Sequence, residues 1–447
     1  METPNKGDSR WGSLFKNDLQ GMLLPILLIT IIGSVNIFSA TYISSIYENT
    51  GLLGYFLKHM TFLLLSMAVG VILYRYDYRQ LQKPHMLQRI MIVTLIGMIL
   101  VLVIGAVING ARRWIVIGPV SIQPSEFAKL AALIWTAAKL STMRKWGKPR
   151  HINPLINLQG YFSERISYML PMLIWPTIFA ILTILQPDMG TTVLIFGFSF
   201  VLIYLAGFDG KFFGGAFAIA GFLGFIAARM SPYRWERIQS WFDPWPHAQD
   251  MGYQTVQGLL AVGSGGILGE GFMQGTSKYF YLPEAHTDFA FAVWAQEMGF
   301  IGAVFVVVLI AAFTYFGFRI SNKARDEFGK WLAMGITLLI SGQALFNIAM
   351  VCGIMPVTGV PLPFVSYGGS SLLMNFMAIG LLASIGRRNV EGVKPFGTAE
   401  PLPSLREETQ SRFKPAATTR TNKTNMPGPF KPRPSKKSTR RQTKFER

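Results

Sequence analysis

From Phe289 to Phe318 the chain reads FAFAVWAQEMGFIGAVFVVVLIAAFTYFGF, an apolar run long enough to cross the roughly 30 Å hydrocarbon layer of a bilayer as one helix. Comparable runs recur along the chain, at Met22–Tyr42, Met60–Tyr74, Ile90–Ile108, Phe127–Leu140, Tyr168–Leu185, Thr191–Ala206, Phe212–Ala228, Trp331–Cys352 and Phe364–Ile385. The expected fold class is therefore an all-α polytopic membrane protein of about ten transmembrane helices. A large extracytoplasmic loop, 229–288, separates spans seven and eight. Composition agrees. Of 447 residues, 51% are hydrophobic and 15% charged, against about 25% charged in an ordinary soluble domain. Mean hydropathy is +0.35, which argues against a water-soluble enzyme. Met1–Gly21 is polar and no small-residue cleavage site follows the first apolar run, so that run reads as a retained anchor.

The net charge of +19 would by itself suggest a nucleic-acid partner, but its placement argues otherwise. Residues 387–447 carry 16 Lys and Arg against 5 Asp and Glu, more than half of the excess. That Pro-, Ser- and Thr-rich tail reads as disordered, touching anionic headgroups or a cytoplasmic protein. The other basic segments are the N-terminus (1–20, with Lys6, Arg10 and Lys16) and the loops Arg75–Arg89, Lys139–Arg150 and Arg319–Lys330. With ten crossings all of these fall on one side, so both termini are expected in the cytoplasm. The opposite side receives Asn109–Glu126 and Arg229–Asp288, which carry Arg112, Arg113, Arg229, Arg234 and Arg237 against the rule. Either nearby carboxylates such as Glu126 and Glu236 neutralise them, or their forked guanidinium groups bind an anion. A single cysteine, Cys352, excludes an internal disulfide and a CxxC metal site, and five histidines lack HExxH spacing. No GK[ST] phosphate loop is present, which disfavours a nucleotide-driven motor.

Polar residues beside apolar runs are costly in lipid and are functional candidates by default. Glu126 and Lys129 stand three apart and read as a structural helix pair. Asp188, in the tight link between two spans, reads at least as readily as a structural helix N-cap as it does as a ligand. The external loop offers the carboxylates Asp243, Asp250, Glu284 and Asp288 and the cationic groups Arg234, Arg237, Lys278 and His286. The turn Gly353–Pro363, closing at Pro363 and running into Ser366-Tyr-Gly-Gly-Ser-Ser371, breaks the start of the last span.

Eight motifs then follow one another: NGARRWI (109–115), QPSEFAK (123–129), QPDMGTT (186–192), PYRWERI (232–238), GYQTVQ (252–257), AVGSGG (261–266), PEAHTDFAFAV (283–293) and PVTGVPLPFVSYGGSS (356–371). In this order they resemble the SEDS family (FtsW/RodA/SpoVE) across about residues 20–386, placing a ten-span domain at 21–386. The alanine in PEAHTDF, the closing serines of SYGGSS and the basic tail resemble the division branch, FtsW, more than RodA. The resemblance implies a peptidoglycan glycosyltransferase of the bacterial cytoplasmic membrane, polymerising lipid II at the outer face. Its expected partners are a class B penicillin-binding protein and other divisome proteins, with no nucleic acid. It further implies that a GlcNAc 4-hydroxyl attacks the anomeric carbon of the growing chain and expels undecaprenyl pyrophosphate.

Such a reaction calls for a general base and for cations on the leaving group. Arg113, Arg234, Arg237 and Lys278 are the candidate cations, with a divalent ion, Mg2+ or Mn2+, and no organic cofactor. Glu284, His286, Asp288, Gln254 and Ser366 are further candidate substrate contacts. The family's carboxylate lies in a pattern like (D/N)PxxDPxGxGYQ. Without gaps, that register puts His247 at the aspartate position and Asp250 three residues later. Asp250 is the expected base, because a carboxylate keeps the chemistry. His247 is the alternative, and Asp243 would hold the loop. A lipid II flippase and a non-catalytic divisome scaffold are the rival readings.

Overall fold

The computed structural model describes residues 17–391, apart from 48–50, 52, 109, 119, 144–157 and 231. The described residues belong to one compact unit, 1–396. In chain order the elements are α1 (Asp18–Tyr47), α2 (Gly54–Arg75), a 3₁₀ turn (Tyr78–Gln82), α3 (Pro84–Ile104), β1 (Ala106–Ile108), β2 (Ala111–Ile117), β3 (Val120–Ile122) and α4 (Pro124–Met143). There follow α5 (Leu158–Leu185), α6 (Met189–Leu205), α7 (Gly210–Arg229), α8 (Pro232–Phe242), a second 3₁₀ turn (Trp245–His247), α9 (Tyr253–Ser264), α10 (Ala290–Asn322), α11 (Glu327–Val351) and α12 (Gly369–Glu391).

Each of the ten apolar runs coincides with a helix. Among the described residues seven of these helices are long and apolar enough to cross a membrane: α1, α2, α3, α5, α10, α11 and α12. The other three runs fall on α4, α6 and α7. Apolar side chains point outward as well as inward. Val93 on α3 is 69% exposed and Leu64 on α2 is 68% exposed, while Met91 and Met98 on α3 are fully buried. Outward apolar side chains of this kind are what a lipid solvent favours. The molecule is a multi-pass membrane protein.

The interior is organised around α4, which packs against α3, α5, α6, α11 and α12. Its alanines at 128, 131, 132, 137 and 138 are all buried, and small side chains let neighbouring helices approach closely in a membrane. Central burial also explains how α4 keeps charges. Lys129 Nζ lies 2.9 Å from both Glu126 and Gln343 Oε1, inside the bundle. The expected structural pair is present. α2 and α12 meet through glycine: a β-carbon on Gly380 would collide with the Gly70 carbonyl.

Three stretches differ from the expectation. The run Ile90–Ile108 leaves the helix at Ile104, and residues 106–122 form a three-stranded antiparallel sheet, with Ala106 opposite Trp114 and Ile115 opposite Ile122. The run Phe364–Ile385 becomes helical only at Gly369. Ahead of it the chain is held by side chains: Gln343 Nε2 donates to the Pro361 carbonyl, and Asn347 Nδ2 to the Val360 and Asp288 carbonyls. The large loop is partly helical, through α8 and α9.

α10 is broken at Gly299, whose φ of 67° and ψ of −168° suit only glycine. The loop after α9 replaces the lost helical bonds. Glu270 and Gly271 N–H groups donate to the Gln296 and Glu297 carbonyls, and Phe300 and Ile301 donate to the Gly266 and Ile267 carbonyls. A break at this depth is tolerated because protein surrounds it.

α12 continues to Glu391, past the expected boundary at 386. The tail from 392 onward, and most of the N-terminal segment 1–20, lie outside the described residues.

Candidate functional site

The end of the bundle that carries the starts of α4, α6, α10 and α12 encloses a cavity of about 350 Å³. Six of the eight motifs reach it. β2 supplies Arg113 and Trp114, and the approach to α4 supplies Gln123. The α5–α6 turn brings Pro187, Asp188 and Met189. α9 contributes Gln254, the approach to α10 contributes Glu284, Thr287 and Asp288, and the leader of α12 contributes Val357, Thr358 and Gly359. Residues distant in sequence converge because each lies at the same end of its helix.

Local chemistry fixes each wall. Asp188 caps α6: its Oδ1 accepts from Thr191 N at 3.1 Å, and its Oδ2 accepts from Gln123 Nε2 at 3.3 Å. The capping role is present, and the capping residue also lines the cavity. Arg113 donates through Nε to the Gln186 carbonyl at 3.1 Å and through its terminal nitrogen to the Pro187 carbonyl. Those carbonyls aim the guanidinium along the α5–α6 turn. Glu284 holds a left-handed backbone, φ 54°, and accepts from the Thr287 hydroxyl at 2.6 Å. A non-glycine residue in that region is strained, and such residues concentrate at functional sites.

Asp288 is half-buried, between Glu284 and the Asp188 turn. Removal from solvent pushes its carboxyl up to about 7, with repulsion from Glu284 and Asp188 adding to the effect and Arg113 opposing it. A carboxyl poised near neutral pH beside a guanidinium is the arrangement expected of a proton-transfer site.

Of the residues nominated from sequence, Arg113, Asp188, Gln254, Glu284 and Asp288 meet here. Others are placed elsewhere. Asp243 and Asp250 are exposed and His247 is half-buried in and around the 3₁₀ turn that precedes α9, and none of the three lines the cavity. Lys278 is closed off in an ion pair with Glu297 at 2.7 Å, so its charge is spent inside the protein. His286 packs on Tyr55 and Tyr367, with ring centroids 5.9 and 5.7 Å away. The Ser366 hydroxyl accepts from Leu362 N at 2.8 Å in the α12 leader, where Pro363 is buried. Arg234 and Arg237 belong to α8, but their side chains lie outside the described residues. Sequence reasoning missed Trp114, Gln123, Thr287 and Thr358. The signal for Gln123 was its place immediately before a buried helix.

A divalent ion needs a convergent donor set. Among the described residues no three His, Cys, Asp or Glu side chains assemble as one. Asp188 and Glu284 already accept hydrogen bonds from protein donors. Mg2+ or Mn2+ is therefore assigned no ligands among the described residues, and no reaction step is routed through a divalent ion.

Comparison with known proteins places this architecture. The family model described as a cell cycle protein, FtsW/RodA/SpoVE, matches residues 20–391. The chain is 35% identical over 372 residues to stage V sporulation protein E of Bacillus subtilis (strain 168), covering 83% of this chain and 97% of that one. It is 36% identical over 374 residues to a probable peptidoglycan glycosyltransferase FtsW of Nitrosomonas europaea, covering 82% and 92% of the two chains. A solved chain from work on the structural coordination of polymerization and crosslinking by a peptidoglycan synthase complex aligns with a TM-score of 0.65 at 26% identity, over 83% of this chain and 98% of that one. The rod shape determining protein RodA of Thermus thermophilus aligns with a TM-score of 0.57 at 26% identity, over 85% and 99%. The chain belongs to the FtsW/RodA/SpoVE family of cell cycle proteins.

Proposed function

We propose that this protein is a peptidoglycan glycosyltransferase that polymerises lipid II at the outer face of the bacterial cytoplasmic membrane, with both termini in the cytoplasm. One observation carries the reading: a polar cavity at one end of the bundle holds Asp288, with a carboxyl pushed up to about 7, among Arg113, Asp188 and Glu284. Relatives named as probable peptidoglycan glycosyltransferases supply the reaction class. A flippase needs polar groups along a path across the bilayer, whereas a polymerase concentrates them on one face, as here.

In the reaction the GlcNAc 4-hydroxyl oxygen bonds to the anomeric carbon as the bond to the pyrophosphate oxygen breaks. Asp288 takes the hydroxyl proton, and a carboxyl near neutral pH does so with little mismatch. Arg113 faces the departing pyrophosphate, where a preorganised guanidinium stabilises developing negative charge. Gln254 and Thr287, which also line the cavity, orient sugar hydroxyls. Asp188 and Gln123 keep the Arg113 side in place. Asp250 and His247, one turn ahead of α9, serve as the rival bases.

A class B penicillin-binding protein is the partner this reading calls for, in line with the synthase complex to which the chain is similar. Purified full-length protein, given lipid II with and without that partner, is expected to yield glycan strands that lysozyme digests. No glycan under either condition would contradict the assignment and favour the flippase or scaffold.

A further inference from the structure

Gly359 brings bare backbone up to the Asp288 carboxyl. Its φ of 73° lies in the left-handed region, and a β-carbon there would come within 3.3 Å of Asp288 Oδ2. Gly359 ends the segment Val357–Gly359 that walls the polar cavity. The room left to the carboxyl therefore depends on how that segment is seated against the approach to α10.

One side chain reaches both. Asn347, on α11 and fully buried, donates from Nδ2 to the Asp288 carbonyl and to the Val360 carbonyl, each at 2.7 Å. Two carbonyls on the same side leave the amide a single orientation, nitrogen toward them. Its Oδ1 is buried and has no hydrogen-bond partner among the described residues. A buried acceptor left unmatched is destabilising, so fold stability alone is a poor account of an amide here. Other contacts hold the segment without touching Asp288. Gln343, one turn earlier on α11, donates to the Pro361 carbonyl at 2.9 Å, and Met350 Sδ accepts from Thr358 N at 3.4 Å. The charged groups facing the Asp288 carboxyl are Glu284, Asp188 and Arg113, and each is held by partners other than Asn347.

We propose that Asn347 is a positioning residue for glycan polymerisation: its amide nitrogen seats the approach to α10 against the Val360 segment and so fixes where the Asp288 carboxyl meets the sugar hydroxyl. This rests on the polymerase reading above. A misplacement of about 1 Å at a reacting centre can cost about 100-fold in rate. Groups that bind the rest of the lipid stay where they were, so kcat suffers and KM does not.

Steady-state polymerisation of lipid II by purified full-length Asn347→Leu, Asn347→Asp and Gln343→Ala tests this, with melting temperatures taken on the same samples. Leucine supplies no donor, and the isosteric aspartic acid supplies at most one proton to two carbonyls. Both Asn347 variants are expected to lower kcat about tenfold or more with KM within about threefold of the wild type. Should the leucine variant melt below the assay temperature, the isosteric one carries the comparison. The pH of half-maximal turnover, about 7 in the wild type, should fall, because a carboxyl released toward solvent returns toward its ordinary value. Gln343→Ala loosens the same segment away from Asp288 and should leave kcat within about threefold and the pH midpoint in place. Wild-type kcat in the Asn347 variants, a kcat loss matched by Gln343→Ala, or an unmoved pH midpoint would overturn the proposal while the polymerase reading stands. A wild type that makes no glycan would remove that reading, and this proposal with it.

Discussion

Lys278 Nζ lies 2.7 Å from Glu297 Oε1, with the Ser39 hydroxyl bonded to both, and the two charged side chains are 1% and 2% exposed. One ion pair thus ties the loop between α9 and α10 to α10 just before its break and to α1. Removing one partner of a buried pair strands the other charge, at a cost of about 3–5 kcal/mol. Lys278→Met should lower the melting temperature in detergent well below that of the wild type, and Lys278→Met/Glu297→Met should recover part of the loss. A single variant as stable as the wild type would refute the role.

Gln343 joins two systems, accepting from Lys129 at 2.9 Å and donating to the Pro361 carbonyl at 2.9 Å. Gln343→Ala leaves a buried ammonium short of one acceptor and a half-buried carbonyl unmatched, worth about 1–3 kcal/mol. Hydrogen exchange should quicken across 360–366, the leader of α12, more than in α5. Uniform exchange in the variant would show that the leader is held some other way.

Gly299 occupies a backbone region closed to other residues, and a β-carbon there would strike Gly269 N and the Ile267 carbonyl. Gly299→Ala should destabilise by at least the roughly 1–3 kcal/mol of a strained residue. Gly214→Ala, on α7 with no neighbour within 4 Å, is the control and should be neutral or mildly stabilising. Equal melting temperatures for the two variants would contradict the role given to the break.

The Asp288 carboxyl is raised from 3.8 to about 7 in the folded protein. Its contribution to stability is full below pH 3.8 and is lost as pH rises to about 7, because the fold favours the protonated form. Catalysis runs the other way, since a base acts deprotonated: turnover should rise as pH passes through about 7. Asp288→Asn should flatten the stability change between pH 4 and 7, read by thermal melts across a buffer series. A wild-type rate that is flat from pH 5.5 to 8 would argue against Asp288 as the proton acceptor.

Arg113 uses two of its nitrogens on the Gln186 and Pro187 carbonyls, which leaves the guanidinium oriented rather than mobile. Arg113→Lys keeps the charge and loses the fork, so it should lower kcat for lipid II about tenfold or more while leaving the melting temperature within a few degrees. A variant with unchanged kcat would remove Arg113 from the leaving-group role.

How much of this was legible in the sequence differs by level. The helices were, because the length of an apolar run and the thickness of a bilayer are local quantities; every run, from Met22–Tyr42 to Phe364–Ile385, falls on a helix. The sheet at 106–122 was not: strands as short as Ala106–Ile108 carry too little alternation to stand out from the end of a membrane helix. Asp288 and Asp250 look alike on paper. Only the fold decides which one is drawn out of water, and it does so by bringing Asp188, about a hundred residues away, beside Glu284. On sequence Lys278 reads as available for an anion because its partner, Glu297, lies inside an apolar run and meets it only through the loop that packs on the Gly299 break.

The central claim is that chemistry occurs in the cavity walled by Asp288 and Arg113. Polymerisation of lipid II by purified full-length Asp288→Asn, set beside Asp243→Ala, His247→Ala and Asp250→Ala and assayed with the cognate penicillin-binding protein, tests it most directly. The expected result is a loss of about 100-fold or more for Asp288→Asn, with the three loop variants retaining most activity. Wild-type rates in Asp288→Asn, with activity abolished in Asp250→Ala or His247→Ala, would contradict it.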